Sequence, residues 1–348
     1  MPTPEHPSHH QTESRDLNLA SAEATAGRQE LDPVLEFAER LHLKEQYLAQ
    51  VKVLYQSGLL ENFTNIAEEG SVEEEEEDYG PKLGVIGIDG KDYILPSYED
   101  ILERLKDPEK RVLLEKKADR GFTKLQLIPF ALPLSVLIQR YQDILLKIHH
   151  ESGLKATDGS TLELDENKPL YVWEDLIQAD NPDTDPVKQI EYGVTNYEGK
   201  TKEARGGYSK SELIQQDPIN GWQMLLIEDL PDLPAEGQGQ TISSRKQLEA
   251  NKTPIEYLKA LQSDPQYQGE TGQTPESALI TQLTYLQEKQ IVPDDWQGRG
   301  KINWLVGNYL SGFVPGFDWC RGDRRASLDR YHPDYRYSFH GFRPAARL

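Results

Sequence analysis

Apolar positions at helical spacing dominate the first part of the chain. Asp32 followed by Pro33 is typical of an N-cap with proline at the first helical position. Apolar residues then recur every three or four positions over residues 34–55, which predicts a helix that Gly58 ends. The same spacing over residues 134–148 predicts a second amphipathic helix.

Shorter apolar runs between these helices predict strands. Residues 83–88 and 93–95 flank Asp89 and Gly90, a pair that is typical of a two-residue turn in a β-hairpin. Residues 122–129 predict a further short strand just before the second helix. Strands and helices therefore alternate irregularly along this half of the chain.

The second half combines two capped helices with a β-rich end. Residues 222–227 form an apolar run that predicts a strand. Thr253 and Thr274 each precede a proline and an acidic first turn, the pattern of a capped helix start. After Val292 helical spacing stops, and short apolar and aromatic pieces alternate with Gly, Asp and Arg. The fold class that these patterns predict is α+β.

The same patterns predict four regions. Residues 1–30 are polar without periodicity and predict a disordered arm. Residues 31–155 predict an acidic helical region with a small hairpin, in which the acidic run 73–78 is a solvated linker. Residues 156–216 are rich in polar residues, Pro and Gly and predict a loop-rich junction. Residues 217–348 predict a separate C-terminal domain.

The charge of the chain excludes several partners. Its net charge of -21 repels nucleic acid and anionic membranes at long range, so we expect neither as a partner. No apolar run reaches the roughly 18 residues that a membrane-spanning helix needs. The first thirty residues have no apolar core of a secretory signal, so the expected compartment is the cytoplasm by default.

Few residues have the spacing of a catalytic or metal site. Cys320 is the single cysteine, which excludes an internal disulfide framework and a multi-cysteine zinc site. His149 and His150 are adjacent on a predicted helix, so they point in different directions and do not form a helical ligand pair. We therefore expect no metal and no cofactor.

The last 47 residues have an unusual composition. From Ile302 to Leu348 there are seven Arg and four Asp but no Lys, Glu, Gln, Met or Thr, which gives this segment a charge of +3 on an otherwise acidic chain. The residues present include Tyr, Ser, Gly and Asn, which supply contact area and adaptable hydrogen bonds in antibody paratopes. This composition indicates a binding surface.

Residues 318–328, which read Asp-Trp-Cys-Arg-Gly-Asp-Arg-Arg-Ala-Ser-Leu, are followed by a spaced Pro333 and Arg336 and by a Gly-Phe-Arg motif at 341–343. This end resembles that of the formylglycine-generating-enzyme family, a type of C-type-lectin-like domain. It also resembles the variable proteins of diversity-generating retroelements, in which mutation of template adenines rewrites the 3′ end of the gene. Codons of the AAC type randomised in this way cannot give Lys, Glu, Gln or Met. The resemblance covers residues 304–348, and extends more weakly back to Trp222.

The resemblance implies two sets of residues. The scaffold set would anchor the core and pin loops through arginine hydrogen bonds; it comprises Trp319, Arg324, Ala326, Leu328, Pro333, Arg336, Gly341, Phe342 and Arg343. The variable set would face a ligand; it comprises Asp318, Cys320, Arg321, Gly322, Asp323, Ser327, Asp329, Arg330, Tyr331, His332, Asp334, Tyr335, Tyr337, Ser338, Phe339 and His340.

The function that follows from the resemblance is the binding of a protein or glycan ligand by a diversified, non-enzymatic surface. One alternative is a catalytic formylglycine-type oxidase or an iron-dependent relative, against which the lone Cys320 argues. Another is a structural protein with an invariant C-terminus. A third alternative concerns Tyr331, Tyr335, Tyr337 and Phe339, whose alternation also fits the buried face of a strand.

Overall fold

A computed structural model describes residues 32–63, 82–216 and 221–348. The predicted disordered arm and the acidic run at 73–78 lie outside the described residues. The helices are α1 Pro33–Arg40, α2 Leu43–Gln56, α3 Tyr98–Arg104, α4 Pro108–Asp119, α5 Leu134–Ser152, α6 Glu174–Ala179, α7 Lys202–Arg205, α8 Lys210–Gln216, α9 Pro254–Ser263 and α10 Pro275–Lys289, with 3-10 turns at Pro186–Lys188 and Pro265–Tyr267.

The strands are short except for β4, β9, β17 and β18. Their bounds are β1 Glu61–Phe63, β2 Lys82–Ile86, β3 Asp92–Ile94, β4 Phe122–Ile128, β5 Leu154–Ala156, β6 Thr161–Leu162, β7 Leu170–Val172, β8 Glu191–Tyr192, β9 Gln223–Glu228, β10 Thr241–Ile242, β11 Arg245–Lys246, β12 Glu270–Gly272, β13 Ile291–Val292, β14 Asp295–Trp296, β15 Ile302–Trp304, β16 Asn308–Tyr309, β17 Val314–Cys320, β18 Arg325–Tyr331, β19 His340–Phe342 and β20 Pro344–Arg347. The predicted α+β class is therefore confirmed.

The first predicted helix is divided into two. Asp32 caps α1 as expected, but the helix breaks at Leu41 and His42, where His42 adopts a left-handed φ of 52°. The break allows α1 to bury Phe37 and α2 to bury Leu54 in the same core. One continuous helix over residues 34–55 was therefore wrong, because tertiary packing overrides the apolar periodicity at this point.

The local signals elsewhere are confirmed. Thr253 and Thr274 each form the predicted cap, with a side chain that accepts a hydrogen bond from the backbone three residues later. Strands β2 and β3 pair antiparallel as the predicted hairpin. Its turn is longer than two residues, because the Gly87 amide donates to the Lys91 carbonyl and the connection runs over residues 87–91.

A four-stranded antiparallel sheet joins distant parts of the sequence in the order β12-β20-β9-β4. Strand β4 begins at Phe122 and pairs with β9 along its length, and β9 pairs with the C-terminal strand β20. Helices α5 and α10 pack against each other, and α10 also packs on β4. The pairing thus crosses the sequence-predicted boundaries at residues 156 and 217.

The second large sheet has the order β19-β15-β17-β18-β7, and β14 also pairs with β17. Its centre is the antiparallel ladder of β17 and β18, which runs without interruption from the Val314–Tyr331 pair to the Cys320–Arg325 pair. Strand β7 comes from the predicted loop-rich junction, and it pairs parallel with β18.

The chain passes from one large sheet to the other at Arg343, between β19 and β20. The Arg343 side chain is buried, donates to Asp294 Oδ1 at 2.8 Å and donates to the carbonyls of Leu230 and Pro231. Its backbone amide donates to Asn303 Oδ1 at 3.0 Å. Arg343 therefore holds two sheets and a loop in one arrangement.

Two scaffold residues are expected to carry much of the stability of this region. Trp319→Ala should lower the free energy of unfolding by about 3–5 kcal/mol, because Trp319 fills the core with 1% of its surface exposed. Arg343→Ala should cost a similar ~3–5 kcal/mol, because it leaves Asp294 buried without its partner. Denaturant unfolding of the full chain measures both changes.

Arg324→Ala is the matched control, because Arg324 is an exposed arginine and its change should stay within about 0.5 kcal/mol. If Trp319→Ala or Arg343→Ala unfolds at the same denaturant concentration as this control, the assigned anchoring role is wrong.

Candidate functional site

The ladder of β17 and β18 separates core residues from outward-facing residues. Residues directly opposite in an antiparallel pair share a face, and successive residues alternate between faces. The pairs Phe317–Leu328 and Trp319–Ala326 lie on one face, and all four residues are buried in the main core. The residues on the opposite face, here called the outer face, are Val314, Gly316, Asp318, Cys320, Arg325, Ser327, Asp329 and Tyr331.

A second hydrophobic cluster closes one end of the outer face. Trp304 and Val314 belong to this cluster, with Tyr257 from α9 and Phe342 from β19. Tyr331 packs against the same cluster, and its ring centroid lies 5.1 Å from that of Trp304. The outer face is therefore half closed by apolar packing, and its polar residues lie toward the other end.

Residues 332–339, here called the cover segment, carry a chain of aromatic rings from β18 toward β14. Tyr335 and Tyr337 have centroids 5.8 Å apart, and Tyr337 stacks on Phe339 at 5.0 Å. Phe339 in turn lies 5.4 Å from Trp296 of β14. Tyr335 is 51% exposed and Tyr337 is 37% exposed, so these rings present a wide aromatic surface to solvent.

The backbone of the cover segment is held mainly at its ends. The Tyr335 amide donates to His332, and the His340 amide donates to Tyr337, so both bonds are local. The Ile302 amide donates to the Phe339 carbonyl and fixes the C-terminal end. The side chains in this segment contact the body through the buried Pro333, the Tyr337 ring against His340 and the exposed Arg336–Glu256 ion pair.

His340 lies directly beneath the cover segment and is fully buried. Its ring stacks on Trp304 at 4.4 Å, and the rings of Tyr331 and Tyr337 lie within 5.0 Å. Neither ring nitrogen has a hydrogen-bond partner among the residues that the structure describes. Burial lowers the pKa of His340 to about 3, so the imidazole is neutral at physiological pH.

Asp318 is a second buried polar group of the outer face. It is 2% exposed, and its carboxyl forms neither a side-chain hydrogen bond nor an ion pair within the described ranges. Burial, together with the carboxylates Asp294, Asp329 and Asp323, raises the pKa of Asp318 well above its ordinary value. Burial also raises the pKa of Asp329. The centre of the outer face therefore holds a buried carboxyl, that of Asp318, without an ion-pair partner among the described residues.

The arginines have roles different from those that the sequence predicted. Arg321, predicted to face a ligand, donates to both carboxylate oxygens of the buried Asp295 and to Ser160 Oγ at 3.2 Å. Arg324, predicted to pin a loop, is exposed in a turn with a left-handed φ of 56°. Arg336 is also exposed, so neither of these two residues is a buried anchor. Sequence alone does not distinguish them, because only the turn geometry decides which guanidinium faces inward.

The predicted variable residues fall into three groups by burial. The exposed group, which fits the prediction, comprises Gly322, Asp323, Arg330, His332, Asp334, Tyr335, Tyr337 and Ser338. The partly buried group comprises Arg321, Ser327, Asp329, Tyr331 and Phe339. The buried group comprises Asp318, Cys320 and His340, and these three do not lie on the accessible surface as predicted. Asp318 and Cys320 lie in β17, which has neighbouring strands on both sides, and the cover segment lies over His340.

The four aromatic residues whose alternation suggested a buried strand face lie in different environments in the structure. Tyr331 ends β18 and packs on Trp304, as the core alternative expected. Tyr335 and Tyr337 lie outside any strand and are exposed, which that alternative did not expect. Phe339 lies outside any strand and is partly buried, so it matches neither expectation fully. Strand β18 ends before His332, so the two-residue periodicity of a strand does not predict which side chains are buried beyond that point.

Three further residues of the same region were not predicted from the sequence. Tyr171 of β7 pairs in register with Ser327, and Trp296 of β14 pairs with Cys320. Arg325 lies opposite Cys320, with its guanidinium 5.5 Å from the Tyr171 ring centroid. The apolar run at 170–173 was the available signal for β7, but its pairing partner lies more than 150 residues away.

Comparison with known proteins gives no relative: no family model, curated protein or solved structure matches the chain. No group of three or more His, Cys, Asp or Glu residues with the geometry of a metal site occurs within the described part of the chain. Among the described helices, none has the length and apolar character needed to cross a membrane.

The burial of His340 predicts a specific pH dependence of stability. The unfolded chain binds a proton at His340 below a pKa of about 6.5, but the folded chain does not do so until about pH 3. Stability should therefore be complete above pH 6.5 and fall by up to about 1.4 kcal/mol per pH unit as the pH decreases toward 3. His340→Phe keeps an aromatic ring and should remove this contribution.

Urea unfolding at pH 7 and pH 5 measures the effect. The parent chain should lose about 2 kcal/mol more than His340→Phe over that interval. Trp304→Phe disturbs the same stack without removing a titrating group, so it should keep the pH dependence of the parent. Parallel pH profiles for the parent and His340→Phe would show that His340 titrates normally in the folded state.

Proposed function

We propose that this chain is a ligand-binding display protein. Its C-terminal region would be a C-type-lectin-like domain of the formylglycine-generating-enzyme type, diversified by a retroelement and without enzymatic activity. The binding surface would comprise the exposed residues of the cover segment and the open end of the outer face. The ligand would be a protein or a glycan.

The observation that carries this proposal is the division of residues along β17 and β18. Trp319, Ala326 and Leu328 were assigned to the scaffold by resemblance, and they face the main core. Ser327 and Asp329, assigned to the variable set, lie on the opposite face and are partly exposed, whereas Asp318 of the same face is buried. A diversified protein needs this separation, because only residues outside the core can change without loss of the fold.

The chemistry of the exposed surface also supports binding. Tyrosine and arginine are enriched among residues that contribute most to interfaces. Tyr335 and Tyr337 are exposed in the cover segment, and the guanidinium of Arg330 lies 4.8 Å from the Trp173 ring and 4.5 Å from the Phe313 ring. Stacking of this kind holds an arginine in place while its edge stays available to a partner.

The cysteine supports a non-catalytic role. A reactive cysteine is usually a thiolate with a lowered pKa in a partly exposed, electropositive site. Cys320 is buried, and burial raises the pKa of its thiol, with Asp323 and Asp318 adding to the rise. Its surroundings are those of a structural thiol.

A pair of libraries tests the proposal. The first library randomises the six exposed positions Arg330, His332, Asp334, Tyr335, Tyr337 and Ser338 to the residues that AAC-type codons give. Most members should fold, because surface substitutions usually change stability by about 0.5 kcal/mol or less. Sorting for protease resistance measures folding, and panels of immobilised glycans and proteins measure whether specificity differs between members.

The control library randomises Phe317, Trp319, Ala326 and Leu328 in the same way, and most of its members should fail to fold. Equal failure rates in the two libraries would refute a tolerant binding surface. The same conclusion would follow if all survivors of the first library kept aromatic residues at positions 335 and 337. The retroelement part has its own test: the gene should lie beside a reverse transcriptase gene and a near-copy of its 3′ end.

A further inference from the structure

We propose that the cavity between the loop 230–247 and the segment 298–301 binds a small zwitterion, either a free amino acid or a short peptide with charged ends. The ammonium group of the ligand would bind Asp232, and its carboxylate would bind Arg299 and Lys301, all three of which line the cavity. The site uses neither the outer face nor the cover segment, so the inference goes beyond the proposed function and does not depend on it.

The cavity has the size and lining of a ligand site. Its volume is about 660 Å³, within the roughly 300–1,000 Å³ that small-molecule pockets usually have. Leu233, Pro234 and Ile242 supply an apolar wall, and the other lining side chains include glutamines and charged groups. Such a lining can hold the apolar part of a small molecule and also orient its polar ends.

Hydrogen bonds within the loop hold this cavity in place. The Gln240 amide donates to Gln247 Oε1 at 3.0 Å, and the Gln247 amide donates to the Gln240 carbonyl at 2.9 Å. The Ala250 amide donates to the Pro234 carbonyl at 2.9 Å, which fixes the other end of the loop. The cavity is therefore already formed, and a ligand can enter without displacing a segment of the chain.

Asp232 offers an acceptor atom that the rest of the described structure leaves unused. Its Oδ2 accepts a hydrogen bond from Thr157 Oγ1 at 2.5 Å, but its Oδ1 is buried without a hydrogen-bond partner among the described residues. Burial raises the pKa of Asp232, while Thr157 and Arg343 act in the opposite direction. Buried polar atoms normally have a partner, so Oδ1 is a candidate acceptor for an ammonium group.

The two cationic residues of the cavity are also without partners. Arg299 is exposed and Lys301 is partly buried, and neither forms an ion pair or a side-chain hydrogen bond within the described ranges. Arg299 is close enough to Asp232 to oppose the rise of its pKa. Arginine and lysine bind carboxylates through strong charge-assisted hydrogen bonds. One cavity therefore presents an anion site and a cation site side by side.

This combination favours a zwitterion over a ligand with one charge. A simple anion would be repelled by Asp232, and a simple cation would be repelled by Arg299 and Lys301. A ligand with an ammonium and a carboxylate satisfies both groups, and the apolar wall can hold its side chain. The volume leaves room for more than one residue, so an amino acid and a short peptide share the required chemistry.

The test titrates L-leucine and L-leucyl-L-leucine separately into the full chain at pH 7 and measures binding by calorimetry. We expect saturable binding of at least one probe, and the tighter of the two identifies the ligand length. Its N-acetyl form lacks the ammonium and its C-terminal amide lacks the carboxylate. Each blocked form should bind at least about tenfold more weakly, a difference of about 1.4 kcal/mol. Absence of saturable binding for both probes, or blocked forms that bind as well as the parent probe, would overturn the proposal.

Variants assign each charge of the ligand to its partner. Asp232→Asn should weaken the free probe at least about tenfold and leave the N-acetyl form unchanged, because that form has no ammonium. The double variant Arg299→Gln/Lys301→Gln should weaken the free probe similarly and leave the amide form unchanged. The matched control Lys44→Gln/Lys259→Gln removes two exposed lysines that do not line the cavity, and it should bind as the parent does.

The pattern of losses separates recognition from a structural effect. If Asp232→Asn weakens the free and N-acetyl probes equally, Asp232 does not bind the ammonium and the proposal is wrong. An equal loss in the lysine control would show that only net charge matters, which also contradicts a site. If a cavity variant melts well below the parent, the comparison of free and blocked probes on the parent chain still decides the question.

Discussion

The buried ion pair of Arg343 and Asp294 is the contact on which the arrangement of both large sheets depends. Arg343 lies at the step between β19 and β20, and its guanidinium also bonds the carbonyls of Leu230 and Pro231. Asp294 is held in turn through its backbone, since its amide donates to Pro231 and its carbonyl accepts from Trp319. A buried ion pair is stabilising only when the polar groups around it are also hydrogen-bonded. Most hydrogen-bond partners of Arg343 and Asp294 are backbone groups, and these come from separate segments of the chain.

This contact also determines which residues face outward. Trp319 receives its register from the bond to Asp294, and it pairs with Ala326 across the ladder. A slip of one residue in that ladder would turn Asp318 and Ser327 into the core and expose Trp319. The packing of the core face therefore determines which residues point outward, although no residue of the core face needs to contact a ligand.

The sequence predicted what is encoded locally and failed where the information is distant. The helix caps at Thr253 and Thr274 were correct, because each depends on a few adjacent residues. The membership of β4 and β7 in the C-terminal sheets was not predicted, because their partners lie about 100 or more residues away. The exchange of roles between Arg321 and Arg324 has the same origin. Both are arginines in one turn, and only the positions of Asp295 and Ser160 select between them.

The same reasoning explains why the buried residues Asp318 and His340 were assigned to an accessible surface. Their residue types are polar, and a strand period of two correctly places Asp318 opposite the core. The period does not reveal that residues 332–339 later fold back over His340. A fold tolerates unpaired polar groups in such a place only if the rest of the structure fixes the sheet firmly, as the core pairs of β17 and β18 do. Stability supplied by one face of the sheet thus permits an energetically unfavourable arrangement on the other, the kind of local cost that functional sites commonly carry.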